Sequence, residues 1–197
     1  MKRIAIVFML ALAVAIPVLA QPPAAAPAAA TQAAAAPMPT EPLARAIYSP
    51  YASVKRNITE SAAKIAEADY AFAPTKDVRN FAQMFDHVAN SNFSYCAAAK
   101  GEPNPNKDDF EKIATTKAAV VKALADSFAY CDTIYTMLTD AKAVELVKVG
   151  QNDVPRASRL IGNAVHINEH YGNLVTMMRI KGMVPPSTER SQQPVRK

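Results

Sequence analysis

The sequence His166-Ile-Asn-Glu-His170 lies within a pattern of apolar residues that recurs at helical spacing. Residues four apart on a helix lie one turn apart on the same face, so both imidazoles leave the helix in one direction. The chain contains one other histidine, His87, in a separate helical stretch. Two imidazoles from one helix and one from another can form a three-nitrogen metal site that keeps an open position. We therefore predict that His87, His166 and His170 meet around one ion inside a helical bundle.

The remaining pattern of the chain predicts four helices and no sheet. Only five glycines occur, and no segment sustains a two-residue alternation of apolar and polar residues. The expected bounds are Ser49-Pro50 to before Pro74, Thr75 to Gly101, Asn106 to Thr139-Asp140, and Asp153, with Pro155 in the first turn, to Lys181-Gly182. Residues 141–150 fit either a short helix or an irregular connection. The expected fold is an all-α four-helix bundle, a fold that often holds metals between facing helices.

The first twenty residues have the features of an export signal. Lys2 and Arg3 precede an uncharged apolar run, and Val18-Leu-Ala20 supplies small residues before a cleavage point. The run is shorter than the roughly 20 apolar residues that a spanning helix needs. We expect a signal peptide over residues 1–20, an exported protein, either periplasmic or secreted, and no stable membrane anchor after cleavage.

The composition divides the rest of the chain into three parts. Residues 21–41 are rich in Ala and Pro and are expected to form a disordered linker. Residues 42–186 are long enough for one bundle domain, and residues 187–197 are expected to form a disordered tail. A homodimer is possible, because bundles of this size often pair. The 22 basic and 17 acidic residues are scattered without a block, so no nucleic-acid binding is expected.

Two cysteines, Cys96 and Cys131, follow the predicted signal. An oxidising compartment permits a disulfide between them, whereas two free buried thiols are the alternative. Neither cysteine lies one turn from a histidine, so thiolate ligation of the metal is not expected.

The histidines also allow simpler interpretations. Two histidines four apart can lie on a helix surface, and an interior histidine is often satisfied by a hydrogen bond. The sequence from His166 to His170 also matches the His-x-x-Glu-His motif of inverted zinc peptidases. Those enzymes need a further acidic ligand downstream, and the only acid that follows is Glu189, beyond the expected end of the helix. Peptidase activity is therefore not expected. A covalently attached haem is not expected either, because the sequence has no Cys-x-x-Cys-His motif.

Two stretches of the chain resemble the signatures of the DinB superfamily. Phe72-Ala-Pro-Thr-Lys-Asp-Val-Arg79, leading to Phe85-Asp-His87-Val-Ala-Asn-Ser-Asn92, is similar to its second-helix signature. The stretch from His166 to Gly172, followed by Met178-Arg-Ile-Lys-Gly182-Met-Val-Pro-Pro186, is similar to its fourth-helix signature. The resemblance covers roughly residues 45–188.

The resemblance implies a bundle whose two middle helices run parallel and are joined by a crossover of about ten residues. A disulfide between Cys96 and Cys131 would tie these two helices together. The three histidine ligands of the family map onto His87, His166 and His170. The resemblance thus implies a divalent metal ion as cofactor, and imidazole ligands suit Zn, Ni and Fe alike.

The family includes metal-dependent hydrolases and thiol S-transferases, so the resemblance implies one of these activities on a small-molecule substrate of unknown identity. Whether the protein is an enzyme stays open. An exported metal-binding bundle without catalysis, or an interaction module, is the alternative. Two acids next to ligands, Asp86 and Glu169, are expected to face solvent. Asn90 and Ser91 are the better-placed polar residues, and Tyr171 is expected to pack.

Overall fold

The structure is a computed structural model that describes residues 37–193. The predicted signal peptide and most of the predicted linker lie outside the described residues. The helices are α1 (Pro42–Lys64), α2 (Phe81–Lys100), α3 (Phe110–Ile113), α4 (Lys117–Tyr135), α5 (Asp140–Val144), α6 (Arg156–Ile180) and α7 (Pro186–Gln192). A two-stranded antiparallel hairpin, β1 (Leu146–Val149) and β2 (Asn152–Pro155), precedes α6.

The four long helices, α1, α2, α4 and α6, form the predicted bundle. Asn92 of α2 donates a hydrogen bond to Ser127 of α4, and four residues later on both helices a disulfide joins Cys96 to Cys131. The two middle helices therefore run parallel, as expected. Helix α6 runs antiparallel to α2, because Asn163 lies beside Cys96 while the later residues of α6 lie beside the earlier residues of α2.

Stacked tyrosines fix three of these helices around the core. The rings of Tyr51 on α1 and Tyr135 on α4 are 3.7 Å apart and inclined by 5°. Tyr51 Oη donates to Asp132 Oδ1 at 2.8 Å, and Tyr135 Oη donates to the Leu160 carbonyl of α6 at 2.6 Å. Each buried ring thus has a partner for its hydroxyl group, which removes the cost of burying an unpaired donor.

A disulfide joins Cys96 to Cys131 across a Cα distance of 5.4 Å. Both residues are fully buried, and the bond ties α2 to α4. Of the two alternatives for these cysteines, the structure therefore has the disulfide. Asn163 Nδ2 of α6 lies 3.6 Å from Cys96 Sγ and 3.8 Å from Cys131 Sγ, so a third helix packs on the bond.

Helix α1 begins earlier than predicted. Ser49-Pro50 was expected to start it, but Pro50 lies inside the helix. A proline inside a helix costs about 3 kcal/mol because it removes a backbone donor and crowds the preceding turn. Burial of Ala44 and Ile47 in the core, together with a hydrogen bond from Ala44 N to Asp140 Oδ1 at 2.8 Å, opposes that cost.

Helices α2 and α4 begin later than predicted, because stronger caps lie downstream. Asn80 Oδ1 accepts a hydrogen bond from Gln83 N, and Gln83 Oε1 accepts one from Asn80 N. This reciprocal capping box, rather than Thr75, starts α2. Thr116, rather than Asn106, caps α4. Gly101, with a φ of 78°, ends α2 as predicted, because its backbone adopts the left-handed conformation.

The crossover between the parallel helices is longer than expected. It occupies residues 101–116, rather than about ten residues, and includes the short helix α3. The added length lets the chain return along the bundle, since an extended chain spans only about 3.3–3.6 Å per residue. It also gives the crossover room to carry side chains to the bundle.

The segment before α6 was predicted incorrectly. Asp153 and Pro155 lie in β2, and α6 begins at Arg156. The hairpin has only four residues per strand and turns at Gly150, whose φ is 61°. Strands this short give almost no alternation to detect. Residues 141–150 form the end of α5 and all of β1.

Residues 187–192, predicted to belong to a disordered tail, lie in α7. Arg190 is paired with Glu60 of α1, and Lys64 Nζ donates to the Val184 carbonyl at 2.7 Å. Because α1 supplies these partners, the C-terminal residues stay helical despite their polar composition. Several large apolar side chains of the helices are exposed: Ile113, Val121, Ile161, Val165 and Ile180.

Candidate metal centre

The three histidines meet between α2 and α6. His166 Nε2 lies 3.2 Å from His87 Nε2 and 3.1 Å from His170 Nε2. One ring nitrogen from each histidine lies within 4.8 Å of the other two. His170 is buried, and the other two are half-buried at the edge of the bundle. The predicted juxtaposition of His87, His166 and His170 is therefore present.

Two features of the helices bring these rings together. The spacing of four residues places His166 and His170 one turn apart on α6. Close approach of α2 then supplies His87. At Gly162, one turn before His166, a Cβ atom would lie 3.1 Å from Cε1 of Tyr95 on α2. The absence of a side chain at Gly162 thus allows the two helices to approach next to the cluster.

Glu111 of α3 orients His87. Its Oε1 lies 2.9 Å from His87 Nδ1, and its Oε2 accepts a hydrogen bond from Arg79 Nε at 2.7 Å. Burial alone would raise the pKa of Glu111, but the hydrogen bonds and charges of Arg79 and His87 outweigh it and lower the pKa. An ionised carboxylate can only accept, so His87 Nδ1 donates and its Nε2 presents a lone pair to the cluster.

The surroundings of both histidines of α6 lower their pKa and so favour the neutral imidazole. Burial is the main cause that lowers the pKa of His170 to about 4, and the neighbouring His166 and His87 add to it. Burial also lowers the pKa of His166, again helped by His87. Neutral imidazole is the form that binds metal. The cluster is thus prepared for ligation near neutral pH.

The donor and acceptor capacity of the three rings fits a metal site better than a purely hydrogen-bonded cluster. His87 Nε2 and His170 Nε2 both lie at hydrogen-bond distance from His166 Nε2. A single N–H on His166 can satisfy only one of them. His166 Nδ1 is buried and has no partner among residues 37–193. Three converging Nε2 atoms of this kind fit the donor set of a divalent ion such as zinc.

A cavity of about 610 Å³ opens beside His170. Its lining comes from the segment before α2, from α2, from α3 and from α6, and consists of Pro74, Asp77, Val78, Arg79, Met84, Glu111, His170, Asn173, Thr176 and Met177. Its size is that of pockets that hold small molecules. Of the three histidines, only His170 lines it, so a ligand in the cavity would reach the cluster from that side.

The family model of the DinB superfamily matches residues 51–174, which include all three histidines. The chain belongs to the DinB superfamily. The resemblance found in the sequence is therefore confirmed. A search of the curated proteins finds no match to the chain.

Solved DinB-like structures share the fold. A DinB-like protein from Bacillus cereus is 11% identical, with a TM-score of 0.61, and the match covers 71% of this chain and 93% of that one. One from Bacillus subtilis is 18% identical, with a TM-score of 0.54 and the same two coverages, 71% and 93%. A variant of mycothiol-dependent maleylpyruvate isomerase is 16% identical, with a TM-score of 0.54, and the match covers 68% of this chain and 60% of that chain.

Two polar residues near the site of this DinB protein, Asp86 and Asn90, have different positions from those predicted. Asp86 was expected to face solvent but is 1% exposed, and neither of its carboxylate oxygens has a partner in the described part of the chain. Burial, with smaller contributions from Glu111 and Asp109, raises its pKa to about 7. The cause of the error is that α2 is covered on this side by the crossover. Glu169 is exposed, as predicted.

Asn90 and Ser91 were expected to be the better-placed polar residues. Asn90 instead anchors the crossover, because it donates to Asp109 Oδ1 at 2.9 Å and accepts from Phe110 N at 3.2 Å. Ser91 is half-buried. Tyr171 packs in the core, as expected, and its hydroxyl donates to Ser187 Oγ at 2.8 Å.

Sequence reasoning missed Glu111. It lies 24 residues from His87 along the chain, in a crossover whose path no local pattern specifies. No spacing rule could have paired the two residues. Of the helices between residues 37 and 193, none combines the length and the apolarity that crossing a membrane requires.

Proposed function

We propose that the protein binds one divalent metal ion through His87, His166 and His170 and uses it in a reaction on a small molecule held in the adjacent cavity. The convergence of three imidazole nitrogens beside a cavity of about 610 Å³ is the observation that carries this proposal. Three nitrogen ligands with an open position are typical of catalytic rather than structural zinc sites.

The chain's own residues have distinct parts in this proposal. Glu111 accepts from His87 Nδ1 and fixes both the tautomer and the ring orientation, as carboxylates behind metal ligands commonly do. Arg79 in turn holds Glu111. Asn173, one turn after His170 at 3.4 Å from its Nδ1, is placed to orient that ring. An ion held by the histidines would supply Lewis acidity, for hydrolysis or for transfer to a thiol.

We propose Zn, Ni or Fe as the ion, since neutral imidazole suits each of them. We also propose that the protein works outside the cytosol, in the periplasm or after secretion. The disulfide between Cys96 and Cys131 supports this address, because such bonds persist mainly in oxidising compartments. The same address favours hydrolysis over thiol transfer, because small thiol cosubstrates are mainly cytosolic.

A metal-binding protein without catalysis is the second candidate. It is favoured by the state of Glu111, a carboxylate in contact with the cluster, which is already engaged by Arg79 and His87. Asp77 is the other carboxylate of the cavity lining, and it is largely exposed. No described carboxylate of the lining is therefore both buried and free to act as a general base.

The activity is tested by comparing metal-loaded, chelator-stripped and His170→Ala protein on a panel of chromogenic esters, amides and thiol acceptors. We expect turnover in the loaded wild type only, restored when metal is returned to the stripped protein. Loaded protein that retains its ion and turns over no member of the panel would favour the non-catalytic candidate.

A further inference from the structure

We propose that the cavity beside His170 binds a small organic monocarboxylate and that Arg79 is the residue that recognises its carboxylate. The inference rests on the proposed function, because it assigns a ligand class to the same site. It adds a specificity-determining residue outside the three histidines.

Arg79 is held along one edge of its guanidinium group and free along another. Nε and Nη2 donate to Glu111 at 2.7 and 3.4 Å. Within residues 37–193, Nη1 makes no hydrogen bond. The side chain is 39% exposed and lines the cavity. A guanidinium that is already fixed in place loses little freedom when it binds a carboxylate through its remaining donors.

The remaining residues of the lining suit the rest of such a ligand. Asn173 and Thr176 of α6 are exposed to the cavity and offer an amide and a hydroxyl. Met84 and Met177 give apolar surface, and Val78 is 48% exposed. A ligand that has a charged head and a short apolar chain would therefore contact both kinds of surface.

The charges of the lining select an anion that carries a single negative charge. Glu111 is paired with Arg79, so an ion held by the histidines would leave the site positive. Asp77, the remaining charged residue of the lining, is largely exposed and lies 3.5 Å from Lys76 Nζ, so the described lining offers a second carboxylate no positive side chain besides Arg79. We infer that a monocarboxylate is preferred over both its neutral amide and a dicarboxylate.

The test is calorimetric titration of the metal-loaded full chain with hexanoate and with hexanamide, its neutral counterpart. We expect wild type to prefer hexanoate, and Arg79→Gln to lower that preference by roughly tenfold, the usual effect of losing a charge-assisted hydrogen bond. Arg45→Gln, which removes an exposed positive charge of α1 away from the lining, is the matched control and should change the preference less than about twofold. A fall of less than about fivefold in Arg79→Gln overturns the inference.

Two further variants separate direct contact from an effect through Glu111. Glu111→Gln keeps Arg79 but removes the partner that fixes it, so at equal metal occupancy it should lose less of the preference for hexanoate than Arg79→Gln does. An equal loss in both variants contradicts direct contact. Arg79→Lys keeps the charge, should restore part of the preference, and replaces Arg79→Gln if that variant does not fold.

Metal content, measured in the same samples, distinguishes failure of the proposed metal site from failure of the carboxylate-binding inference. A wild-type protein that holds no ion overturns the proposed function and this inference together. A protein that holds its ion but shows no preference for hexanoate, or that binds adipate more tightly than hexanoate, overturns only the inference.

Discussion

Glu111 Oε1 and His87 Nδ1 are 2.9 Å apart, and this contact connects the crossover to the histidine cluster. The carboxylate belongs to α3, while the imidazole belongs to α2. Arg79, which lies just before α2, holds the other oxygen of the same carboxylate, so this segment is tied to the crossover beside the cluster. Metal affinity should therefore depend on a residue that does not itself ligate.

Replacing Glu111 with glutamine tests this dependence. The amide oxygen can still accept a hydrogen bond, but the negative charge that fixes the tautomer of His87 is lost. We expect metal affinity to fall about 10- to 100-fold, as for other carboxylates behind histidine ligands. Competition titration against a chromophoric chelator measures the change. Glu102→Gln, an exposed substitution in the same crossover, is the matched control, and equal affinities in the two variants would contradict the role of Glu111.

In the metal-free protein, His170 and His166 should lower the stability of the fold in mild acid, whereas Asp86, whose pKa is raised to about 7, acts in the opposite direction over the same range. The pKa of His170 is about 4 in the fold and about 6.5 in an unfolded chain, and that of His166 is also lowered. Between these values the two histidines bind more protons in the unfolded chain than in the folded one. The stability that these neutral histidines contribute is therefore fully present above about pH 6.5 and is lost as pH falls through about 4.

Thermal unfolding of the stripped protein across this pH range checks the effect. His170→Gln removes the group whose pKa is lowered to about 4, so lowering the pH from 6.5 to 4 should reduce its melting temperature less than it reduces that of wild type. Parallel curves for the two proteins would show that His170 is not the source of the acid sensitivity.

Bound metal should be released over an acidic range. Ligation requires neutral imidazoles, so protons compete with the ion. Because the folded pKa of His170 is about 4, retention should extend below the usual imidazole pKa of about 6.5 before it fails. Equilibrium dialysis at a series of pH values follows the loss. Metal retained in full well below pH 4 would argue against ligation by histidine.

Reduction of the disulfide between Cys96 and Cys131 should destabilise the bundle. The two residues are 35 positions apart, and closing a loop of this length is worth about 3–4 kcal/mol in the unfolded chain. For a chain of this size that corresponds to a fall of roughly 10 °C in melting temperature. Calorimetry with and without reductant measures it. The Cys96→Ala, Cys131→Ala double variant should have a lowered melting temperature that does not change with reductant. A wild-type melting temperature that does not change with reductant either would contradict the prediction.

The features that local patterns determine were predictable from the sequence. The pair His166 and His170 follows from helical spacing, and the end of α2 at Gly101 follows from glycine's tolerance of a positive φ. No spacing rule connects two helices, so the pairing of His87 with them was predicted because it is the one other histidine of the chain, and the family resemblance supported it. That resemblance also gave the parallel direction of the middle helices.

The errors arise where tertiary contacts outweigh local preference. Pro50 is a good residue for starting a helix, but burial of Ala44 extends α1 beyond it. The local sequence of Asp86 is typical of a surface acid, but the crossover buries it. The sequence around Arg190 is typical of a disordered tail, but Arg190 pairs with Glu60 of α1. The role of Glu111 could not be predicted for the same reason, because its partner His87 lies on another helix.

Elemental analysis of untagged protein, purified without chelator, tests the central claim most directly. We predict about one divalent ion per wild-type chain, and loss of that ion in His87→Ala and in His166→Ala. Glu169→Gln changes an exposed neighbour of a ligand and should keep the ion. Wild-type protein that holds no ion after exposure to zinc, nickel and iron, or histidine variants that keep the full wild-type content, would contradict the account.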